Sequence, residues 1–234
     1  MNQVNAAADT DAKVLRISMD AKATVKVGDF SRGGKKRVQV KAADHDFTAS
    51  AKVTPVGILL PQFDELFLAC VTSKVTSDCL VDVLELWWQS ARERYRQVST
   101  LLINLDNGPE NQSHRTQFLK RLVDFAQTSQ LSIHLAYYPP YHSKYNPVER
   151  CWGILENHWN GDILDTIETV VQFAQTMTWK GHAPMVRLLT TTYHTGVRLA
   201  KHAMTEVEKH IERLRGLERW FLKISCFPSV SLGT

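Results

Sequence analysis

Apolar residues recur along this chain with two periods, and the switches between them mark its elements. Residues 14–20 alternate in character and 23–27 continue with small and β-branched side chains, which predicts a strand with a bend. Gly28, Gly33 and Gly34 punctuate the polar loop that follows. Residues 53–60 and 65–71 read as two further strands, joined through Pro61, Gln62, Phe63 and Asp64 as an antiparallel hairpin. Thr76, Ser77 and Asp78 offer N-cap oxygens to a helix over about 79–95, whose Leu80, Val83, Leu84 and Trp87 share one face. Residues 100–105 form a short, continuously apolar strand of the kind covered on both faces. A helix over 113–127 turns Phe118, Leu122 and Phe125 inward, a strand follows at 132–137, and a helix occupies 146–160.

Three strands, then helix, strand, helix, strand and helix, give an α/β fold. It has a mixed five-stranded sheet flanked by helices, in the order of ribonuclease-H-like domains. Beyond residue 162 the pattern predicts helices over 163–178, 185–199 and 204–222. The expected organisation is a flexible N-terminus (1–12), a catalytic core (13–161), a helical C-terminal extension (162–222) and a tail (223–234).

Composition narrows the class only moderately. With 234 residues, 44% of them hydrophobic and 22% charged, the chain can bury one sizeable core. It has no apolar run of the roughly 18 residues that a membrane span needs. Its first residues lack the apolar centre of a signal peptide, so the expected location is the cytoplasm. Cys70, Cys79, Cys151 and Cys226 form no Cys-x-x-Cys pair, which indicates neither a disulfide framework nor a cysteine zinc site. A net charge of +4 permits a nucleic-acid partner without establishing one. Arg32, Lys35, Lys36, Arg37 and Lys41 cluster around Gly33 and Gly34, either as a solvated loop or as phosphate contacts.

The chemistry lies in the acids. Phosphodiester cleavage and transfer are commonly run by two Mg²⁺ ions about 4 Å apart, held by a few carboxylates and several waters. Asp106 ends a buried strand at its C-terminal edge, where open α/β sheets bind ligands. The following Asn107 and Gly108 equally suit a plain turn. Glu149 opens a helix, and Asn146, Pro147, Val148 and Glu149 fit an N-cap, a proline at N1 and a capping glutamate, so a structural role competes with a catalytic one. On that helix Val148, Cys151, Trp152, Leu155 and Trp159 make an apolar stripe, with Glu149 and the reserve candidate Glu156 at its edge. Asp20 closes the first strand much as Asp106 closes the fourth, and is preferred as third acid over Asp44 and Asp46. His114, His134, His142 and His158 have no metal-ligand spacing. No Gly-Lys-Ser/Thr follows the glycines, which excludes a phosphate loop. Tyr137, Tyr138, Tyr141 and Tyr145 crowd Pro139 and Pro140 and suit base stacking or packing alike.

The strings ISMDAKATVKVGDFSRGGK, LDNGPENQSHRTQF and YYPPYHSKYNPVERCWGILENHWNG closely resemble bacterial insertion-sequence transposases of the DDE type. The nearest group is ISAzo-thirteen, with its Rhodopirellula-type transposase DDE domain, and the likeness runs from about residue 14 to about 220. The resemblance implies a catalytic and metal-binding triad at Asp20, Asp106 and Glu149, with two Mg²⁺ ions for which Mn²⁺ substitutes. It implies double-stranded DNA as partner, at the element's ends and at the target, with a homodimer in the transposition complex and no membrane. Lys22, Arg32, Lys35, Lys36, Arg37, Arg115, Lys144 and Arg150 are then candidate DNA contacts. Family members carry an N-terminal helix-turn-helix region, whereas Asp20 here stands near the start and no reading helices are expected before it. That departure, with the unusual string SCFPSVSLGT at the other end, leads to the expectation of a truncated copy or one half of a split protein. Two alternatives to a transposase core stay open: an inactive DNA-binding remnant, and a ribonuclease-H-like nuclease without strand transfer.

Overall fold

A computed structural model of the chain describes residues 1–30, 49–139 and 145–227. Helix α1 (Asn2–Thr10) precedes the first strand, β1 (Val14–Ala21). Then come β2 (Val25–Val27), β3 (Ala51–Leu60) and β4 (Glu65–Val71), so the bend expected between 20 and 25 separates two strands. Helix α2 (Ser77–Ala91), β5 (Thr100–Leu105), α3 (Thr116–Ser129), β6 (Ser132–Tyr137) and α4 (Glu149–Trp159) complete the predicted core. The N-cap of α2 forms as expected, with Thr76 Oγ1 accepting from the Cys79 amide.

These strands lie in the order β4-β3-β1-β5-β6, with β3 antiparallel to β1 and β4, and β1, β5 and β6 mutually parallel. This is the ribonuclease-H-like order. Parity along β1 and β5 divides the sheet into two faces. Leu15, Ile17 and Met19 join Leu101, Ile103 and Leu105 in the main core beneath α2 and α3. The intervening Arg16, Ser18 and Asp20, with Leu102 and Asn104, turn toward the other face. There α4 and α5 (Ile167–Thr176) build a second core around Trp159 against Leu59, Leu66 and Leu68.

The sequence reading fails at both ends of the chain. Residues 2–10 are helical rather than frayed. Ala8 packs on Leu102 and Ala136, and the Asp9 carboxylate accepts two bonds of 2.7 Å from the buried Arg16 guanidinium. Past residue 162, among the described residues, only 167–176 and 201–208 are helical, the latter as α6 (Lys201–Glu208). The expected helix at 185–199 is instead β7 (Met185–Leu189), parallel to β4. The one expected at 204–222 keeps only its first turn, within α6, and its later part includes β8 (Ile211–Arg213) and the start of β9 (Phe221–Ile224), with β9 antiparallel to β6. The sheet thus has nine strands among the described residues, not five. The reason is edge protection: β4 and β6 would otherwise present open rows of N–H and C=O groups. Gly216, at φ +79°, makes the break that a continuous helix there could not contain.

Candidate active site

Register and parity bring the first two candidate acids together. Ser18 pairs with Asn104 across the parallel β1–β5 ladder. Two residues further along the same register stand Asp20 and Asp106, on strands about 4.8 Å apart. Both line a cavity of about 210 Å³ at the strands' C-terminal ends, together with Gly108, Glu110 and Asn111. Glu149 stands at the first turn of α4, half-buried. Burial is the main cause that pushes the Asp20 carboxyl up to about 7. Next in size is an opposing hydrogen bond from Trp152, then the negative charge of Asp106, the Ala21 amide acting downward, and the charge of Glu149. The three acids therefore share one electrostatic environment.

Asp20 and Asp106 are each held by a specific neighbour. Trp152 Nε1 donates to Asp20 Oδ2 at 2.8 Å. That contact needs Gly57, which faces Asp20 across the β1–β3 ladder. A Cβ on Gly57 would lie 2.6 Å from the Trp152 ring and 3.0 Å from Val148 Cγ2, so only glycine lets α4 settle this close. Asn111 Nδ2 donates to Asp106 Oδ1 at 2.9 Å. The loop carrying it is pinned by Tyr137, whose buried hydroxyl donates to the Asn111 carbonyl at 2.7 Å. Gly108 passes so close that an added Cβ would meet Asn111 Oδ1 at 3.1 Å and Asp106 Oδ2 at 3.3 Å.

The start of α4 is built differently from the sequence expectation. Asn146 does not cap the helix; the N-cap position is Val148, with no side-chain capping bond. Fully buried, Asn146 ties to β1 instead: Ser18 Oγ donates to Asn146 Oδ1 at 2.5 Å, and Asn146 Nδ2 donates to the Met19 carbonyl at 3.2 Å. Ser18 Oγ also accepts from the Val148 amide at 3.0 Å. Glu149 is thus the first helical residue, and the capping-box geometry that rivalled its chemical role is not formed. The fixed point is the seam between β1 and α4, which sets Glu149 close enough for its charge to act on Asp20, although Glu149 is not among the residues that line the cavity.

Asp20, Asp106 and Asn111 give a set of hard oxygen donors of the type Mg²⁺ takes. Two observations fit such an ion. None of the influences on Asp20 comes from a basic side chain. Asn107 Oδ1 and Asn111 Oδ1, beside Asp106, are buried without hydrogen-bond partners among the described residues. No three His, Cys, Asp or Glu side chains close around one point among those residues. Mg²⁺ often takes one or two carboxylates and completes its shell with water and phosphate oxygens.

The candidate DNA contacts divide. Lys22 is bound to Glu156 at 2.5 Å and lies over the Trp159 ring, which also engages the reserve acid Glu156. Arg115 pairs with Glu110 at 3.1 Å, and Ser77 Oγ donates to the Glu110 carbonyl at 2.7 Å, so this cluster fastens the 106–111 loop to α2. Arg150 is exposed beside Glu149. Arg32, Lys35, Lys36, Arg37 and Lys144, with Asp44, Asp46 and Tyr141, lie outside the described residues. Of the other tyrosines, Tyr137 and Tyr138 are buried and Tyr145 is exposed. Sequence reasoning missed Gly57, Ser18, Asn111 and the polar role of Trp152. An aromatic on an apolar stripe gives no sign that its N–H has a carboxylate to reach, and an isolated strand glycine was the one available clue.

Solved structures of Mos1 transposase resemble the chain weakly. The paired-end complex with left transposon end matches with TM-score 0.48 and 11% identity over 68% of this chain and 46% of that one. The Mos1 mariner paired-end complex with Mn matches with TM-score 0.45 and 11% identity over 69% and 46%. The chain spans about half the length of these proteins. No curated protein matches it. The match that decides kinship is to a family model, the Rhodopirellula transposase DDE domain, over residues 1–226, which takes in both strand-end acids, α4 and the C-terminal strands. The chain belongs to that family.

Proposed function

We propose that this domain carries out metal-dependent cleavage and strand transfer of double-stranded DNA at the ends of an insertion sequence, with Asp20, Asp106 and Glu149 as its acids. The observation that carries this reading is the convergence of Asp20 and Asp106 at adjacent strand ends, with Glu149 near enough to raise the Asp20 carboxyl. Asp20, Asp106 and Glu149 would hold one or two Mg²⁺ ions, with Mn²⁺ as substitute, and the Asn107 and Asn111 amide oxygens lie beside them. A bound divalent ion would supply charge stabilisation at the reacting phosphate and lower the pKa of the attacking hydroxyl or water. Trp152 orients Asp20 through Oδ2. Asn111 orients Asp106 through Oδ1. Burial first, and then the charges of Asp106 and Glu149, raise the Asp20 carboxyl to about 7, so the carboxylate form that a divalent cation takes gains population as pH rises through that value. A homodimer assembled on two DNA ends, working in the cytoplasm, is part of the same proposal. Among the described residues no helix is long and apolar enough to cross a membrane.

The test is Asp106→Asn, assayed for nicking and joining of a duplex carrying the element's ends. Activity should fall by more than about 100-fold, because losing even an outer-shell partner of a metal ligand costs about 10–100-fold. Folding should be retained. Unchanged activity in a nuclease-free preparation would remove the assignment. Nicking without joining would replace it with a nuclease.

A further inference from the structure

Beside the carboxylate cavity, and sharing Ala21 and Val75 with it, runs a groove of about 730 Å³. Its lining includes Lys22, Lys26, Lys52 and Lys74, with the hydroxyls of Thr24, Thr54, Thr72 and Ser73. No Asp or Glu is among these described lining residues. The four lysines come from four places: the turn after β1, β2, β3, and the segment leading from β4 to α2.

The strand register gives this groove its meaning. Lys26 and Lys52 are direct cross-strand partners in the antiparallel β2–β3 ladder. Their flanking partners Val25 and Val53 turn inward and are buried, which puts both lysines on the opposite, solvent-facing side. Like charges directly opposite each other destabilise a ladder, with Cβ atoms about 4.5–5.5 Å apart. Two residues along, on the same face, the Thr24 and Thr54 hydroxyls bond to each other at 2.8 Å and extend the polar row toward Ala21. Lys22 has its ammonium turned to Glu156 and serves the fold. An arrangement that opposes two cations, adds a third on the next segment and lines the space between with hydroxyls suits a string of phosphates. At Ala21 and Val75 the groove adjoins the cavity that holds Asp20 and Asp106.

We propose that Lys26, Lys52 and Lys74 form a phosphate-binding groove that holds the backbone of the DNA strand leading away from the carboxylate site. The inference rests on the DNA-processing reading above and adds to it where the strand lies. Lys26 also sits 5.7 Å over the Phe30 ring, which keeps its stem extended along β2.

The experiment uses the full chain in EDTA, so that binding is read without chemistry. Affinity for a fluorescent random-sequence duplex is measured by anisotropy across a salt series. The triple variant Lys26→Gln, Lys52→Gln, Lys74→Gln should lower the log–log salt slope by about 1 per lysine, about 3 in all. A control with the same charge change, Lys120→Gln, Lys209→Gln, Lys223→Gln, removes lysines that do not line the groove and should leave the slope nearly unchanged. Equal slopes for parent and groove variant, or equal losses in groove and control variants, overturn the groove while leaving the DNA reading in place. A parent with no salt-dependent duplex binding overturns the DNA reading, and the groove with it.

Discussion

The two faces of β1 and β5 are made from the same strands and have opposite characters. On one, Leu15, Ile17, Met19, Leu101, Ile103 and Leu105 are nearly solvent-free and belong to one apolar cluster with residues of α2 and α3. On the other, Arg16, Ser18 and Asn104 are just as buried and every one is hydrogen-bonded. Arg16 is clasped by Asp9, Asn104 by Asn5, and Ser18 by Asn146. Burial alone therefore does not separate scaffold from site. The separation is chemical: the first face is stabilised by removing apolar area from water, which tolerates approximate shapes. The second is a row of polar groups that each need one named partner, and it ends on Asp20 and Asp106.

Three substitutions sharpen this contrast, in descending order of expected effect on stability. Ile103→Ala empties a position that is 1% exposed in the main core and should cost about 2–5 kcal/mol. Urea denaturation measures it. A loss below about 1 kcal/mol would mean that the apolar face is not the mechanical base of the sheet. Gly57→Ala adds one methyl beneath Trp152 and should cost about 1–3 kcal/mol as overpacking. Because the displaced indole also stops donating to Asp20, strand-transfer activity should fall out of proportion to stability, and its pH profile should shift upward. An activity loss that merely tracks the unfolded fraction would count against Trp152 as a positioning residue.

The third change, Asp20→Asn, is read through pH in the metal-free protein. The Asp20 carboxyl rises from 3.8 to about 7 on folding, so the folded state binds this proton more tightly than the unfolded chain. Its stabilising contribution is fully present below about pH 4 and is lost as pH rises through about 7. The parent should lose stability across that window relative to Asp20→Asn, which cannot ionise. Denaturation midpoints at pH 5 and pH 8 test the sign. A difference between the two proteins that stays constant with pH would show that Asp20 is not crowded by burial and by its neighbours.

How far the sequence alone reaches can be traced through single residues. Alternation in 14–20 and the apolar run at 100–105 were enough to find β1 and β5, and with them the strand-end positions of Asp20 and Asp106. Strand order followed from connectivity. Residues 185–189 and 221–224 were misread because five and four residues are too few for period 2 to stand out against a helical pattern. Nothing local says that β4 and β6 need covering. Asn146 was misread because Asn before Pro matches a helix cap, and a bond to Ser18, 128 positions earlier, leaves no local trace.

What the sequence determined by itself was the inventory and its coarse placement: an acid at the end of each of two buried strands, an acid at the first turn of a helix, and the order of the core elements. Short-range forces settle these through hydrophobic period, turn chemistry and chain connectivity. Only the tertiary structure decided which face each acid shares, that Trp152 reaches Asp20 over the bare backbone of Gly57, and that Lys26 opposes Lys52 beside the cavity. Those depend on register between segments far apart in the chain. Register is selected by the burial and hydrogen bonding of the whole sheet at once, and no single segment carries that information.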